Sequence, residues 1–240
     1  MPDLNLTEKQ FENDIEYSLL TYGGYEKGEP KAFDRVVALD TDTLISFVKA
    51  TQPKSWEKHE TIYGTSAERS FIDRFCKEVK SLGLLSVLRH GFKDRGITFR
   101  VVYWKPETSI NQTAQEQYAR NVLHCTRQLH YSPNNENSID IVLFVNGIPV
   151  VSMELKNQFT GQDTDNAIRQ YKFDRAGKEA IFEFKNRVLV HFAVDLYNVF
   201  MTTRLQGANT YFLPFNQGSN GAGNVGGKGN PQNPDGYQTA

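Results

Sequence analysis

The chain has 240 residues, 39% hydrophobic and 23% charged, which suits one large globular domain that buries a core without covalent staples. Its two cysteines, Cys76 and Cys125, lie far apart and in no C-x-x-C spacing, which excludes a disulfide framework and a structural zinc site and points to a reducing cytoplasm. A net charge of −1 argues against a general polyanion-binding surface and confines any contact with nucleic acid to a local patch, and the lack of an apolar leader or of a membrane-length apolar stretch predicts a soluble protein with no membrane partner.

The first predicted element is a helix: Thr7 and Gln10 form a capping box, Phe11, Ile15 and Leu19 an apolar stripe, and Gly23-Gly24 a stop. A short helix around Thr43 to Lys49 is expected to end before Pro53. A longer one, Ser66 to Leu82, carries Phe71, Phe75 and Val79 on one face and stops at Gly83. The period then changes. Ile97, Phe99, Val101 and Tyr103 alternate as in a half-buried strand, and Leu123, Cys125, Leu129 and Tyr131 do so again after a polar helical insertion near Gln112 to Arg120. A hairpin at 138–158 follows, then an amphipathic helix from about Thr164 to Arg175 and strands at Arg187 to Val194 and Asn198 to Thr203. Helices, a mostly antiparallel meander, a crossover helix and further strands predict a mixed α/β layer fold.

Residues 1–215 carry all of these elements. From Asn216 to Ala240 the chain is Gly, Asn and Pro with almost no apolar content, which predicts a flexible linker. Its GGKG is no phosphate loop: Ala222 and Gly229 stand where the pattern needs Gly and Ser or Thr, and no apolar strand leads in.

The hairpin SIDIVLFVNGIPVVSMELKNQ places acids beside two apolar strands, where an ionised carboxylate is costly unless paired or bound to a metal. Its register decides what the acids can do. A regular two-residue Asn146-Gly147 turn sets Asp140 opposite Met153 and leaves Asp140 and Glu154 on opposed faces. A three-residue loop with a left-handed Gly147, or a bulge at Pro149, brings Asp140, Glu154 and Lys156 to one face. Two carboxylates there suit Mg²⁺, and the lysine two positions beyond the glutamate suits an attacking water or a developing phosphorane: the needs of phosphodiester hydrolysis. The plainer alternative is an Asp140–Lys156 ion pair at a sheet edge with Glu154 in solvent. His124 and His130 lack a carboxylate at ligand spacing, and Ser152 has no histidine within sequence reach, so zinc chemistry and a nucleophilic serine have little support. Arg169, Lys172, Arg175 and Lys178 cluster on and after the following helix, as phosphate contacts or as a solvated face.

The segment DIVLFVNGIPVVSMELKN resembles the core of the PD-(D/E)xK nucleases, and closely the N-terminal nuclease domain of the motor (R) subunit of type I restriction enzymes. TEKQFENDIEYSLL, LISFVKATQPKSWEK and MTTRLQGANTYFLPFNQG resemble further blocks of that family, in order. LFVNGIP joined to ELKN, with ATQPKSW and FLPFN, is more specific than the D…ExK triplet alone. The resemblance implies a restriction-endonuclease-like mixed sheet flanked by helices and an Mg²⁺-dependent, type I site-specific deoxyribonuclease. It implies Asp140, Glu154 and Lys156 as active centre, with the Leu155 carbonyl as a further metal ligand. Glu12 corresponds best to the opening-helix acid, with Glu8 and Glu16 as neighbouring choices; the three also share one stripe that reads equally well as a solvated acidic face. Ser138-Ile139 stand where such sequences often have Arg-Pro. In the Q-x-x-x-Y pattern of the next helix Gln170 is followed by Asp174 at the fourth place, which leaves Gln170 with Arg169, Lys172 and Arg175 as candidate DNA contacts. The implied partners are double-stranded DNA and the methyltransferase and specificity subunits, and ATP enters through a helicase motor expected beyond Ala240. A non-cleaving module that holds DNA or docks a subunit is the alternative, and predicts no divalent ion between Asp140 and Glu154.

Overall fold

The computed structural model describes residues 8–108, 110–157, 161–175 and 177–215. The expected Thr7 cap, the 216–240 linker and its GGKG lie outside them, as does the side chain of Glu8. Chain order is α1 (Glu8–Tyr22), β1 (Glu26–Lys27), β2 (Phe33–Asp34), β3 (Leu39–Asp40), α2 (Thr41–Thr51), α3 (Pro53–Tyr63), α4 (Ala67–Leu82), α5 (Leu84–His90), β4 (Phe92–Asp94), β5 (Ile97–Phe99), α6 (Gln112–Ala119), β6 (Leu123–His130), β7 (Ser138–Val145), β8 (Ile148–Leu155), α7 (Thr164–Phe173), β9 (Val190–Val194), β10 (Val199–Thr202) and β11 (Leu213–Pro214).

A seven-stranded mixed sheet, ordered β1-β6-β7-β8-β9-β10-β11, is the centre of the molecule. The β6-β7-β8 meander is antiparallel, and α7 crosses over so that β9 lies parallel to β8. One sheet face buries Cys125, Ile141, Leu143 and Leu155 under Phe11, Ile15 and Leu19 of α1. The other buries Val142, Phe144 and Ala193 under Ala167 and Tyr171 of α7 and under Phe182. This is the expected α/β layer fold.

Helices α2 to α5 and the β4–β5 hairpin form a second apolar body around Phe71, Phe75, Phe92 and Phe99. One expectation holds here and one changes. Helix α2 ends before Pro53, at Thr51, and Pro53 then occupies the first turn of α3, where its missing N–H costs nothing. The strand expected over Ile97 to Tyr103 stops at Phe99 and pairs only with β4, in a small sheet of its own closed by Arg95 and Gly96 at positive φ. Alternation identifies a half-buried strand but not the sheet that receives it.

The tip of the β7–β8 hairpin is pinned between the two bodies. Asn146 is fully buried; its Oδ1 accepts the Val122 N–H at 2.7 Å and its Nδ2 donates to the Val101 carbonyl at 2.9 Å. Gly147 has φ 79°, and a Cβ there would stand 2.2 Å from the Asp40 carbonyl oxygen, so only glycine lets the turn approach α2.

Candidate active site

The turn itself is the regular two-residue one, with Val145 opposite Ile148 and Phe144 opposite Pro149. The register then slips, so that Leu143 faces Val151 and Val142 faces Ser152, leaving Val150 as the extra residue of a bulge. Pro149 has no N–H to give the ladder, and the Val150 carbonyl is taken instead by the Leu189 N–H at 2.9 Å. Of the three registers open to the sequence, the bulge at Pro149 is the one adopted. Beyond it Ile141 faces Met153, and Asp140 comes level with Glu154 instead of Met153.

Asp140 is buried, and its Oδ2 accepts the Leu155 N–H at 2.7 Å. Its Oδ1 accepts from the Gln128 side chain at 3.3 Å. Glu154 is fully buried, and its Oε1 accepts from Arg175 Nε at 2.7 Å, while its Oε2 is enclosed without a hydrogen-bond partner. Lys156 follows directly after β8, is 9% exposed, and extends the ladder to β9 through its N–H on the Val194 carbonyl. The ammonium is close enough to Glu154 to favour its ionised form, and the Asp140 carboxylate close enough to oppose it.

Glu12 belongs to the same group. It is buried rather than solvated: Oε2 accepts from Arg127 Nη2 at 2.7 Å and Oε1 from Gln128 Nε2 at 2.9 Å. Glu16 is the second carboxylate on Arg127, at 3.2 Å. The solvated-face reading of this stripe therefore fails for both. Burial pushes the Glu12 carboxyl up, against the hydrogen bond from Arg127, and the nearby Asp140 charge adds to the rise.

Burial raises the Glu154 carboxyl much further, from 4.5 to about 8, with Arg175 pulling the other way and Asp140 adding to the rise. A carboxyl that holds its proton more tightly folded than unfolded makes stability fall as pH climbs from about 4.5 to about 8. His191 works in the opposite sense, since burial lowers it from 6.5 to about 3, but only below about pH 6.5. Thermal melts of the wild type should therefore show stability declining between about pH 6.5 and 8, by at most roughly 2 kcal/mol. Glu154→Gln should flatten that decline; an unchanged slope in the variant would show that Glu154 is not the titrating group.

Several sequence-derived candidates land elsewhere. Arg175 is not a surface phosphate contact: it is 5% exposed, held between Glu154 and the Ser138 carbonyl at 2.7 Å each, with its guanidinium over the Tyr131 ring. The helix ends at Phe173, so a helical-wheel position for Arg175 has no meaning. Arg169 is exposed, and Lys172 and Gln170 are half-buried on α7. Ser152 does meet a histidine, His191 Nδ1 at 2.8 Å, and also Tyr171 Oη at 2.8 Å, but all three are buried and His191 stays neutral, so the network ties β8, β9 and α7 together. His124 and His130 each approach a glutamate, Glu26 and Glu136, and do not meet. Sequence reasoning missed Arg127 and Gln128, whose contacts with Glu12 span more than a hundred residues of chain.

Among the described residues no three Asp, Glu, His or Cys side chains converge on a metal-sized site. Asp140 and Glu154 alone would supply carboxylate oxygens, and the Glu154 Oε2 is a buried acceptor without a hydrogen-bond donor. Mg²⁺ suits such a set, since it commonly takes one or two carboxylates and keeps its remaining ligands as water.

A search of curated proteins returned no match. A scan against protein-family models matched residues 5–210 to the type I restriction enzyme R protein N terminus, HSDR_N. The chain belongs to this family. The match runs from α1 through β10 and so takes in both apolar bodies and every residue of the site. In the Q-x-x-x-Y pattern ascribed above to R-subunit sequences, the inward-facing tyrosine of α7 is Tyr171, and four positions before it stands Ala167, fully buried. Gln170 does not occupy the glutamine place in that register. No helix among the described residues is long and apolar enough to cross a membrane.

Proposed function

We propose that this chain is the nuclease module of a type I restriction R subunit and cleaves double-stranded DNA by Mg²⁺-dependent phosphodiester hydrolysis in the cytoplasm. One observation carries the reading: the Pro149 bulge brings Asp140 level with Glu154, whose enclosed Oε2 has no hydrogen-bond partner. A buried carboxylate oxygen without a donor calls for a proton or a cation. Asp140, Glu154 and the Leu155 carbonyl would hold Mg²⁺. The ion supplies charge for the scissile phosphate and acidity for its bound water.

The protein's own groups do the rest. Lys156, two residues beyond Glu154 at the end of β8, places an ammonium beside the acids to orient the attacking water and stabilise charge on the phosphorane. Arg175 and the Leu155 N–H hold the Glu154 and Asp140 carboxylates in single orientations. Arg169 and Lys172 on α7 offer cations to the backbone of the duplex. A motor in the same subunit would supply ATP-driven translocation, and methyltransferase and specificity subunits would read the recognition sequence, together restricting foreign DNA.

The test is direct. At pH 8, Mg²⁺ at ten times its Kd should stabilise the wild type by about 1.4 kcal/mol, the mass-action value for one site. That is a rise of a few degrees in Tm for a domain of this size. Asp140→Asn should lose it. A wild type that gains nothing from Mg²⁺ supports the non-cleaving docking module instead.

A further inference from the structure

Strand β6 carries a fault at its centre. Its odd-numbered residues change sides there: Cys125 packs with Leu155 beneath α1, whereas Leu129 packs with Tyr171 beneath α7. Strand β7 does the same across the ladder, with Ile141 in the first cluster and Ile139 in the second. Pairing continues on both sides of the change, Arg127 opposite Ile141 and Leu129 opposite Ile139. The residues at the change are Gln128 and Asp140. Gln128 has φ 48°, a conformation rarely taken by side chains other than Asn, Asp or His. Ordinary strand φ there would leave Arg127 and Leu129 on one face, at the expense of either the Arg127–Glu12 contact or the burial of Leu129.

Gln128 is itself exposed, so packing of its own side chain does not select it. Its amide is nevertheless engaged at both ends. Nε2 donates to Glu12 Oε1 at 2.9 Å and to Asp140 Oδ1 at 3.3 Å, and Oε1 accepts from Ser138 Oγ at 2.8 Å. The reverse orientation would set an amide oxygen against two carboxylates, so the charges and Ser138 together fix which end faces the acids. The Leu155 N–H holds the other oxygen of Asp140.

We infer that Gln128 is a positioning residue of the nuclease site, its amide spanning Glu12 and Asp140 and setting the Asp140 carboxylate for a cation shared with Glu154. The inference rests on the metal-dependent reading proposed above. It accounts for a glutamine at a position whose backbone favours glycine or asparagine: glycine satisfies the backbone without the bridge, and asparagine is one methylene shorter.

The experiment is an Mn²⁺ titration of the whole chain by water-proton relaxation, for wild type, Gln128→Gly, Ser138→Ala and Asp140→Asn, with melting temperatures alongside. Gln128→Gly keeps the left-handed backbone at no steric cost, so it should melt close to wild type while binding Mn²⁺ about 10–100-fold more weakly, the usual effect of losing an outer-shell partner. Ser138→Ala, which only frees the amide, should weaken binding in the same direction by less. Unchanged affinity in Gln128→Gly, with Asp140→Asn weakened, overturns the inference and leaves the site reading standing. Should Gln128→Gly not fold, unchanged affinity in Ser138→Ala overturns it equally. Equal affinity in wild type and Asp140→Asn sinks the site reading, and this inference with it.

Discussion

In an R subunit carrying this segment, Asp140→Ala, Glu154→Ala and Lys156→Ala should each reduce DNA cleavage by about 10²–10³, the range typical of one lost preorganised electrostatic group. ATP turnover on the same DNA should survive. The separation follows from where the three residues sit: all lie at one end of the β7–β8 ladder, where the hydrolysis proposed above uses a metal ion and no nucleotide. The first two changes remove the carboxylates proposed to hold Mg²⁺. Asp140→Ala should not unfold the chain through charge, because it relieves the repulsion on Glu154, whereas Glu154→Ala also leaves the buried Arg175 without its counter-charge and is read beside a thermal melt of the variant. Lys156→Ala acts differently, removing the ammonium that offsets the acids, and should leave Mg²⁺ binding in place while cleavage falls. The measurement is paired: linearisation of a plasmid bearing the recognition site, and ATP hydrolysis on that plasmid. Cutting at wild-type rate in all three variants would mean that the site is misassigned. Joint loss of both activities would give these residues a structural or coupling role.

How legible this site was depends on the length scale of each contact. The hairpin could be read from Asn146-Gly147 and its flanking apolar runs because those signals are local. Its register could not, since a one-residue slip exchanges the two faces and both outcomes fit the alternation. Pro149 held the deciding information: a residue without an N–H inside a strand predicts an irregularity there, and the ladder slips between Phe144 and Leu143. Glu12 was one of three equivalent acids on a helical stripe; in the fold Gln128, from a strand far along the chain, links it to Asp140. Arg175 illustrates the opposite error. Its charge and its place after an amphipathic helix suggest a solvated cation, but the turn after Phe173 carries it under the sheet to Glu154. Family resemblance singled out the triplet as the candidate, whereas the groups that hold its carboxylates emerged only from the fold.

Those groups should also dominate stability. Arg175→Met is expected to be the most destabilising single change at the site, costing about 3–5 kcal/mol near pH 8, because it breaks a fully buried ion pair and forces Glu154 to take up a proton or stay charged without a partner. The loss should be smaller near pH 6, where the raised Glu154 carboxyl takes up a proton and no longer needs a counter-charge. Arg175 has other contacts, to the Ser138 carbonyl and the Tyr131 ring, so the ion pair must be isolated with a second substitution. In a Glu154→Gln background the same Arg175→Met change should cost much less, giving a coupling of about 1.5 kcal/mol or more in the double-mutant cycle. Urea unfolding of the four proteins at the two pH values measures it. If Arg175→Met costs the same in both backgrounds, the arginine stabilises through Ser138 and Tyr131, and Glu154 meets its burial cost without it. If the coupling is present at pH 8 and fades at pH 6, the guanidinium is the charge that keeps Glu154 ionisable inside the protein, the state in which a carboxylate can hold a divalent cation.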